Sequence, residues 1–542
     1  MLFWLGIMWF GARVVGMLGR RPKEPVGPDV WASCRSLIPA GSVFAFLAEH
    51  RDDLFPESMF ADMYPSSNGR PSVPPQVLAT ATVLQVLHNL TDTDTVDHLR
   101  CDLRWKAACG LGLYDTAFDP SLFIYFRRRL ALSGNPDRIF GRVREVVAAT
   151  GVLKGKRRRA LDSTVFEDAV ATQDTVTQLI AAIRAVIREV PGAAATAAAH
   201  CTAHDYTDPG KPRIAWNDEA AREVLVDRLV TDALRLLGHL PERNLGEKAA
   251  NAVGILALVA GQDVEFAEGS DGTDGRWRIA RKTVPGRVVS TADPESRHIH
   301  KTRHTYRDGY RGHVVVEPET GLFTAVALTR GDGAGHQEAV VAQGLLADED
   351  TGLTVSGDTA YGTAAFRAVL TAAGHTPVVK PPPARSAIPG GFTLDDFLID
   401  TAASTVTCPN GHTARLSGIQ SDGSRVATFT AVCLACPLRH WCTNARRGRQ
   451  VRVPHGHEAQ AAARHQAATD RLWQDEYRRW RPMVERGIAW LTTRGNRRLR
   501  YRGTLKNDAW LHTRAAALNL RRLINLGLTH TDGTWAITTA TA

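Results

Sequence analysis

The chain has 542 residues, of which 44% are hydrophobic and 23% are charged. This composition excludes an intrinsically disordered chain and allows roughly two to four domains with buried cores. The formal net charge of +10 favours a polyanionic partner such as nucleic acid, although many proteins without such a partner are mildly basic too.

The first element is an apolar, aromatic segment, MLFWLGIMWFGARVVGML. Arg13 interrupts it, and the basic cluster at 20–23 follows it instead of preceding it. A leader over 1–24 from a misplaced start codon therefore fits better than a membrane anchor or a signal peptide. We expect the globular protein to begin near Pro25, without stable membrane association, as a cytoplasmic, nucleoid-associated protein.

Residues 28–150 are predicted to form a helical N-terminal domain. Apolar residues recur at helical spacing after the proline pair Pro74–Pro75, which suits a helix start. A second helix is predicted over 120–132, and its basic triplet at 127–129 suits either a solvated face or a phosphate contact.

A basic run over 154–159 leads directly into Asp162, which we expect at the end of a short strand. The following stretch, 165–290, is predicted to be a mainly helical insertion. Two β-branched segments separated by the turn sequence PETG then predict a hairpin over 311–329.

The C-terminal half is predicted to alternate strands and helices before a last helical region. A short strand over 353–357 ends at Asp358, and a helix over 458–490 carries Glu485. The other predicted elements are helices at 337–347, 363–373 and 508–526 and a linker at 381–391.

Three carboxylates, Asp162, Asp358 and Glu485, are placed for phosphodiester chemistry. Two Mg²⁺ ions about 3.5–4 Å apart can stabilise the attacking and leaving oxygens, and a few carboxylates suffice to hold them. Without a cation the three groups would repel, so we expect the empty site to be poorly ordered. Each acid also has a simpler interpretation: the aspartates suit caps or turns, and Glu485 can pair with Arg481.

Four sequence strings around these acids carry more information than the acids alone: RALDSTVF, DGYRGHVVVEPETGLFTAVAL, VSGDTAYG and YRRWRPMVERGIAWL. Together they resemble the catalytic core of bacterial insertion-sequence DDE transposases, of the IS-four-type superfamily. Residues 70–131 resemble the helical domain that precedes such cores, and residues 507–528 resemble their closing helix. The resemblance spans roughly residues 35–528.

The resemblance implies an α/β fold with an RNase H-like mixed sheet flanked by helices. The catalytic domain would comprise 151–380 and 458–530, with the helical insertion over 165–290. The all-helical domain over 28–150 would bind DNA, and a small cysteine-rich insertion would occupy 381–457.

The resemblance also implies that Asp162, Asp358 and Glu485 hold Mg²⁺ or Mn²⁺. They would catalyse cleavage at the ends of the element and strand transfer into target DNA. Tyr477 and Arg481, which precede Glu485 on the same helix, would support them. Arg481 is expected to contact a phosphate or to orient Glu485.

Double-stranded DNA, as element ends and as target, is the partner that this activity requires, and a homodimer is expected in the synaptic complex. Basic residues near the acids would neutralise phosphates, although each could equally be part of a solvated surface. The expected DNA contacts are Lys156, Arg157, Arg158, Arg159, Arg494, Arg497 and Arg498. The helical N-terminal domain is the first candidate for recognition of the ends.

Four of the eight cysteines crowd into residues 408–442. They are Cys408, Cys433, Cys436 and Cys442. Four soft ligands at this spacing suit a closed structural Zn²⁺ site, an iron–sulfur cluster is the competitor, and metal-free thiols are the third alternative. His412 or His440 could replace one cysteine. Similar transposases carry cysteines in the same insertion.

The histidines at 298, 300 and 304 alternate with basic residues, which favours a basic DNA-facing loop over a metal site. Two other functions remain open. An RNase H-like nuclease would use the same acids without strand transfer. A noncatalytic, zinc-stabilised DNA-binding protein derived from a transposase would not use them.

Overall fold

The computed structural model describes residues 18–20, 25–65, 71–240, 244–270, 275–280, 284, 286–300 and 305–538. Most of the predicted leader, 1–24, lies outside these residues. Within the part of the chain that is described, no helix is long and apolar enough to cross a membrane.

The N-terminal region is helical. Its helices are α1 (Val30–Cys34), α2 (Val43–Leu54), α3 (Pro75–His88), α4 (Asp92–Cys101), α5 (Leu103–Cys109), α6 (Ser121–Leu132) and α7 (Arg138–Thr150). Helix α3 starts with Pro75, where a missing N–H costs nothing, and it is buried along nearly its whole length. The helix predicted over 120–132 is confirmed as α6.

A mixed sheet follows, interrupted by a group of helices. In chain order the elements are β1 (Arg158–Glu167), α8 (Thr175–Glu189), α9 (Ala193–His200), α10 (Glu219–Gly238), α11 (Glu247–Gln262), β2 (Val264–Phe266), β3 (Trp277–Ile279), β4 (Arg297–His300), β5 (Tyr306–Glu317), β6 (Leu322–Arg330), α12 (Glu338–Leu345), β7 (Thr354–Gly357), α13 (Ala364–Ala372) and β8 (Thr376–Val379). The predicted hairpin is confirmed as β5 and β6. The three predicted elements that follow the hairpin, namely the helix α12, the short strand β7 and the helix α13, are also confirmed.

The sheet has the strand order β4–β5–β1–β7–β8, with β6 also paired to β5. Strand β5 is antiparallel to β1, β4 and β6, whereas β1, β7 and β8 run parallel to one another. The protein is therefore an α/β protein whose mixed sheet has antiparallel and parallel halves that meet at β1.

The expected position of Asp162 at the end of its strand is wrong. Strand β1 continues to Glu167, because Ser163 to Glu167 pair with residues of β5. The parallel partner β7 contacts only Arg158 to Ala160. Asp162 therefore lies within an antiparallel pair but just beyond the end of the parallel one.

The last part of the chain holds short strands and then long helices. The elements are β9 (Leu398–Asp400), β10 (Thr405–Thr407), β11 (Thr413–Arg415), β12 (Arg425–Thr428), α14 (Arg439–Cys442), β13 (Gln450–Val453), α15 (His457–Thr469), α16 (Arg471–Thr492), α17 (Thr504–Asn525), β14 (Leu528–Thr531) and β15 (Thr534–Ile537). The single helix predicted over 458–490 is wrong, because Asp470 is extended and its side chain caps the start of α16.

One hydrophobic core joins the N-terminal helices to the sheet and its covering helices. It includes Leu84 of α3, Val316 of β5 and Leu518 of α17, all almost fully buried. The helices α8 to α11 have a separate core, and so does the cysteine-bearing segment. Asp162 and Glu485 therefore lie on elements of the main core. Asp358 follows β7, whose buried Val355 belongs to another core that also includes Leu161 of β1, and the cysteines lie in a core of their own.

Candidate active site

The strand register places two of the predicted acids beside each other. In the parallel pair β1–β7, Ala160 is opposite Ser356. Asp162 and Asp358 each lie two residues further along, so both are on the same face and at the same level of the sheet. Each carboxylate accepts a nearby backbone N–H, from Ser163 at 2.8 Å and from Ala360 at 3.0 Å.

Helix α16 brings the third acid to the same place through a buried arginine. The Nη2 atom of Arg481 lies 2.9 Å from Oδ2 of Asp162 and 4.0 Å from Oδ2 of Asp358, and its Nε lies 3.7 Å from Oε1 of Glu485. Arg481 also donates to the backbone carbonyl of Leu161. All three predicted acids therefore converge on one guanidinium group.

The three carboxylates differ in exposure. The side chain of Asp162 is 14% exposed, that of Asp358 44% and that of Glu485 65%, whereas Arg481 is only 9% exposed. Burial raises the pKa of Asp162, and the charge of Arg481 opposes that rise. Burial would lower the pKa of Arg481, but Asp162 and the other charged neighbours outweigh it and raise it. The exposure of the acids thus increases from Asp162 through Asp358 to Glu485.

The three carboxylates suit a hard divalent cation in donor type. Three carboxylates are the oxygen ligands that Mg²⁺ and Mn²⁺ take, so the chemistry of the donors fits. Their ligand atoms do not all lie within 4.8 Å of one another, a spacing that two other groups of the described residues do reach. The guanidinium of Arg481 supplies positive charge between the carboxylates. The expectation of a poorly ordered empty site did not take this charge into account.

Two tyrosines belong to this cluster. Tyr477, which the sequence singles out, stacks on Trp473 with ring centroids 5.3 Å apart. Its pKa is raised by burial and by the three acids, against the influence of Arg481. Tyr361 was missed by sequence reasoning; it is buried, and burial together with Asp162 and Asp358 raises its pKa. Its signal was its place in the string VSGDTAYG, three residues after Asp358.

The basic run before β1 is largely paired with carboxylates. Lys156 and Arg158 both contact Glu319, at 2.7 and 3.1 Å, and Arg158 also contacts Glu476 of α16 at 2.6 Å. Arg159 is buried against Glu349, 2.6 Å away. Arg157 is exposed and reaches only a backbone carbonyl, at 3.5 Å. Sequence reasoning missed these acidic partners because they lie far away along the chain.

The basic residues after α16 lie beside the end of β1. Arg497 donates to the backbone carbonyl of Val165 at 3.0 Å. The backbone of Arg498 forms an isolated parallel β-bridge with the backbone of Glu167. The side chains of Arg494 and Arg498 are exposed. The two predicted basic tracts therefore flank opposite ends of the strand that carries Asp162.

The four clustered cysteines line one small cavity in the segment 381–457. They are Cys408, Cys433, Cys436 and Cys442, and all four thiols are free. The backbone N–H of Arg449 donates to Sγ of Cys433 at 3.4 Å, and burial raises the pKa of Cys442. His412 lines the same cavity, and His440 is exposed. Four thiols around one cavity fit a soft tetrahedral ion in donor type, although no three of their sulfurs lie within 4.8 Å of one another.

The predicted basic loop at the histidines is wrong for its described part. Residues 297–300 form β4, which pairs with β5. His298 contacts Asp308 through Nδ1 at 2.6 Å, and Arg297 is buried against Asp332. His304 and its basic neighbours lie outside the described residues.

Two transposase families match the chain. The family described as Transposase DDE domain matches residues 407–524, and the Transposase domain (DUF772) family matches residues 32–129. No curated protein and no solved structure matches the chain. Both matches support an insertion-sequence DDE transposase. The first match includes Glu485 with Tyr477 and Arg481, whereas Asp162 and Asp358 lie outside both.

The match to the transposase DDE domain implies DNA as the substrate and supports a polynucleotidyl transferase type of enzyme. Such enzymes generally use divalent metal ions. The N-terminal match covers most of the helices α1 to α6.

Proposed function

We propose that this transposase cleaves DNA at the ends of an insertion element and joins those ends to target DNA, with Asp162, Asp358 and Glu485 as its catalytic acids. One observation carries the proposal. Acids from β1, from the end of β7 and from α16 converge on the guanidinium of Arg481. Acids that served only as caps or surface charges would have no reason to meet there.

The order of elements supports an RNase H-like core. The strand with Asp162 is followed by a hairpin, by a parallel strand that ends at Asp358, and by a helix that carries Glu485. The helices α8 to α11 would then be an insertion, since they have their own core. The cysteine-bearing segment would be a second insertion for the same reason.

The three acids would hold Mg²⁺ or Mn²⁺, which stabilises the attacking and leaving oxygens of a phosphodiester when bound. Asp162 is held in place by the sheet, whereas Glu485 is exposed and can adjust to the substrate. Arg481 balances the charge of the acids from the protein side and fixes the backbone at Leu161. Tyr477 would lie beside the DNA strand on the open side of α16.

DNA contacts are assigned by exposure. Arg157, Arg494 and Arg498 are exposed and would contact phosphates directly. Lys156, Arg158, Arg159 and Arg497 are engaged with other groups of the protein and would position β1 between those contacts. The helices α1 to α6 would recognise the element's ends, and synapsis of two ends would require a homodimer.

The cysteine segment would hold a structural Zn²⁺ ion. The support is that four cysteines from two parts of the segment line one cavity, with a backbone N–H directed at one sulfur. In this role the ion would help to fold an insertion with a small core.

The test is Mg²⁺-dependent cleavage and joining of DNA that carries the flanking element ends. Asp162→Asn, Asp358→Asn and Glu485→Gln should each lower the cleavage rate by at least about 10³-fold and leave DNA binding intact. The matched control is Asp475→Asn, an exposed acid on the same helix, which should keep full activity.

Full activity in any one of the three variants would remove that residue from the site. Cleavage without joining would indicate a nuclease, and binding without cleavage in the unmodified protein would indicate a noncatalytic DNA-binding protein.

A further inference from the structure

A second group of metal-ligand side chains lies away from the acids and the cysteines. His50 and Asp53 are one turn apart on α2, and His530 is on β14 near the other end of the chain. One ligand atom from each of the three lies within 4.8 Å of the other two. The cluster therefore joins the N-terminal helices to the hairpin β14–β15.

The spacing suits an ion better than a set of direct hydrogen bonds. The Nδ1 atoms of His530 and His50 lie 3.2 and 3.9 Å from Oδ2 of Asp53. Around a tetrahedral ion with bonds of about 2.0–2.2 Å, neighbouring ligand atoms lie roughly 3.3–3.5 Å apart. The contact of His530 with Asp53 is an ion-pair contact, and that of His50 is too long for a hydrogen bond.

Neighbouring groups hold both imidazoles in place. Trp535 packs on His530 with ring centroids 4.1 Å apart, and Phe46 packs on His50 at 5.0 Å. The other ring nitrogen of His50, Nε2, lies 3.9 Å from a carboxylate oxygen of Glu49. Histidines that bind metal commonly direct their second nitrogen at such a carboxylate.

One side of the cluster is open to solvent. The side chain of Asp53 is half exposed, which leaves an open side for a water ligand.

We propose that His50, Asp53 and His530 bind a zinc-class divalent ion that fastens the hairpin β14–β15 to α2. Two imidazoles and one carboxylate favour Zn²⁺ over Mg²⁺, because Mg²⁺ takes mainly oxygen ligands. Helix α17, which packs on β6 of the sheet, leads directly into this hairpin. The ion would thus tie the N-terminal helices to the chain end that follows a helix of the main core.

The test counts zinc ions on the full-length protein. The protein is stripped with a chelator and titrated with Zn²⁺ alone, and bound ions are counted by native mass spectrometry. The unmodified protein should bind one more ion per chain than His50→Gln, while the exposed-site control His465→Gln should match the unmodified protein. Zinc ions bound at the cysteines add equally to the counts of all three proteins, because all three carry the same cysteines.

A second variant guards against a merely structural effect. Asp53→Asn keeps an acceptor for His530 but should weaken zinc binding at this site at least about 10-fold. The increase in Tm on adding Zn²⁺ should be smaller in Asp53→Asn than in His465→Gln. Equal zinc counts in the unmodified protein and His50→Gln would overturn the proposal and leave the cluster as a His–Asp ion pair.

Discussion

The acid cluster and the cysteine segment are built in different ways. The acids lie on β1, at the end of β7 and on α16, which belong to or cover one six-stranded sheet. The cysteines lie on loops, turns and a short helix among strands of three or four residues, with a small core of their own. A site built on a six-stranded sheet is shaped by the fold, whereas a small segment with little core gains more of its stability from a bound ion.

The two regions also differ in how charge is balanced. The acids have an internal cation in Arg481, which contacts all three. In the cysteine segment burial raises the pKa of Cys442, which favours the neutral thiol until a metal ion binds. The acid cluster should therefore depend on one arginine, and the cysteine segment on an ion.

The largest expected effect is on stability at Arg481. Arg481→Leu should lower the free energy of unfolding by about 3–5 kcal/mol, because it leaves Asp162 buried without its partner. Urea denaturation measures this, and Arg481→Lys should lose less. Added Mg²⁺ should restore part of the loss in Arg481→Leu by supplying positive charge to the acids. An unchanged denaturation midpoint would mean that the acids do not depend on this cation.

The next effect concerns the cysteine segment. Cys433→Ser should make residues 381–457 at least about 10-fold more sensitive to limited proteolysis, because local opening becomes easier without the proposed Zn²⁺ ion. The sheet should stay resistant, as the acid cluster has its own support. Cys101→Ser, an exposed cysteine in α4, is the control and should change nothing. Equal digestion of Cys433→Ser and the control would show that the segment folds without metal.

A smaller effect separates the exposed and buried arginines before β1. Arg157→Ala should reduce the slope of log K for DNA binding against log salt concentration by about 0.9, as expected for one lost phosphate contact. The neighbouring Arg159→Gln should lower stability instead, because it breaks the buried pair with Glu349. Fluorescence anisotropy over a salt series measures the slope. An unchanged slope in Arg157→Ala would remove this residue from the interface.

The smallest effect is a pH dependence in the main core. Burial would lower the pKa of His512, but Asp508 and Asp137 outweigh it and raise the pKa above 6.5. The protonated form therefore adds stability that is complete below about pH 6.5 and is lost as the pH rises through the folded pKa. Tm should therefore fall slightly as the pH rises above about 6.5. His512→Gln should show a smaller fall, and an identical fall would contradict this assignment.

Local patterns were sufficient for many elements. The proline at 120 indicated the start of α6, β-branched segments on either side of the turn sequence PETG located the hairpin β5–β6, and the short strand β7 and the helix α13 after it were also predicted. Where two local signals competed, the prediction was wrong: residues 297–300 were assigned to a basic loop, although pairing with β5 makes them a strand. Strand pairing depends on a partner that a local pattern does not include.

The sequence by itself indicated a transposase family and selected three acids, because its motifs carry both the residue types and their order along the chain. Only the tertiary structure decided that Arg481 lies among those acids, that Arg159 is buried against Glu349, and that His50 meets His530. The physical reason is that these contacts join residues far apart in sequence, so they depend on strand register and helix packing and not on any local spacing.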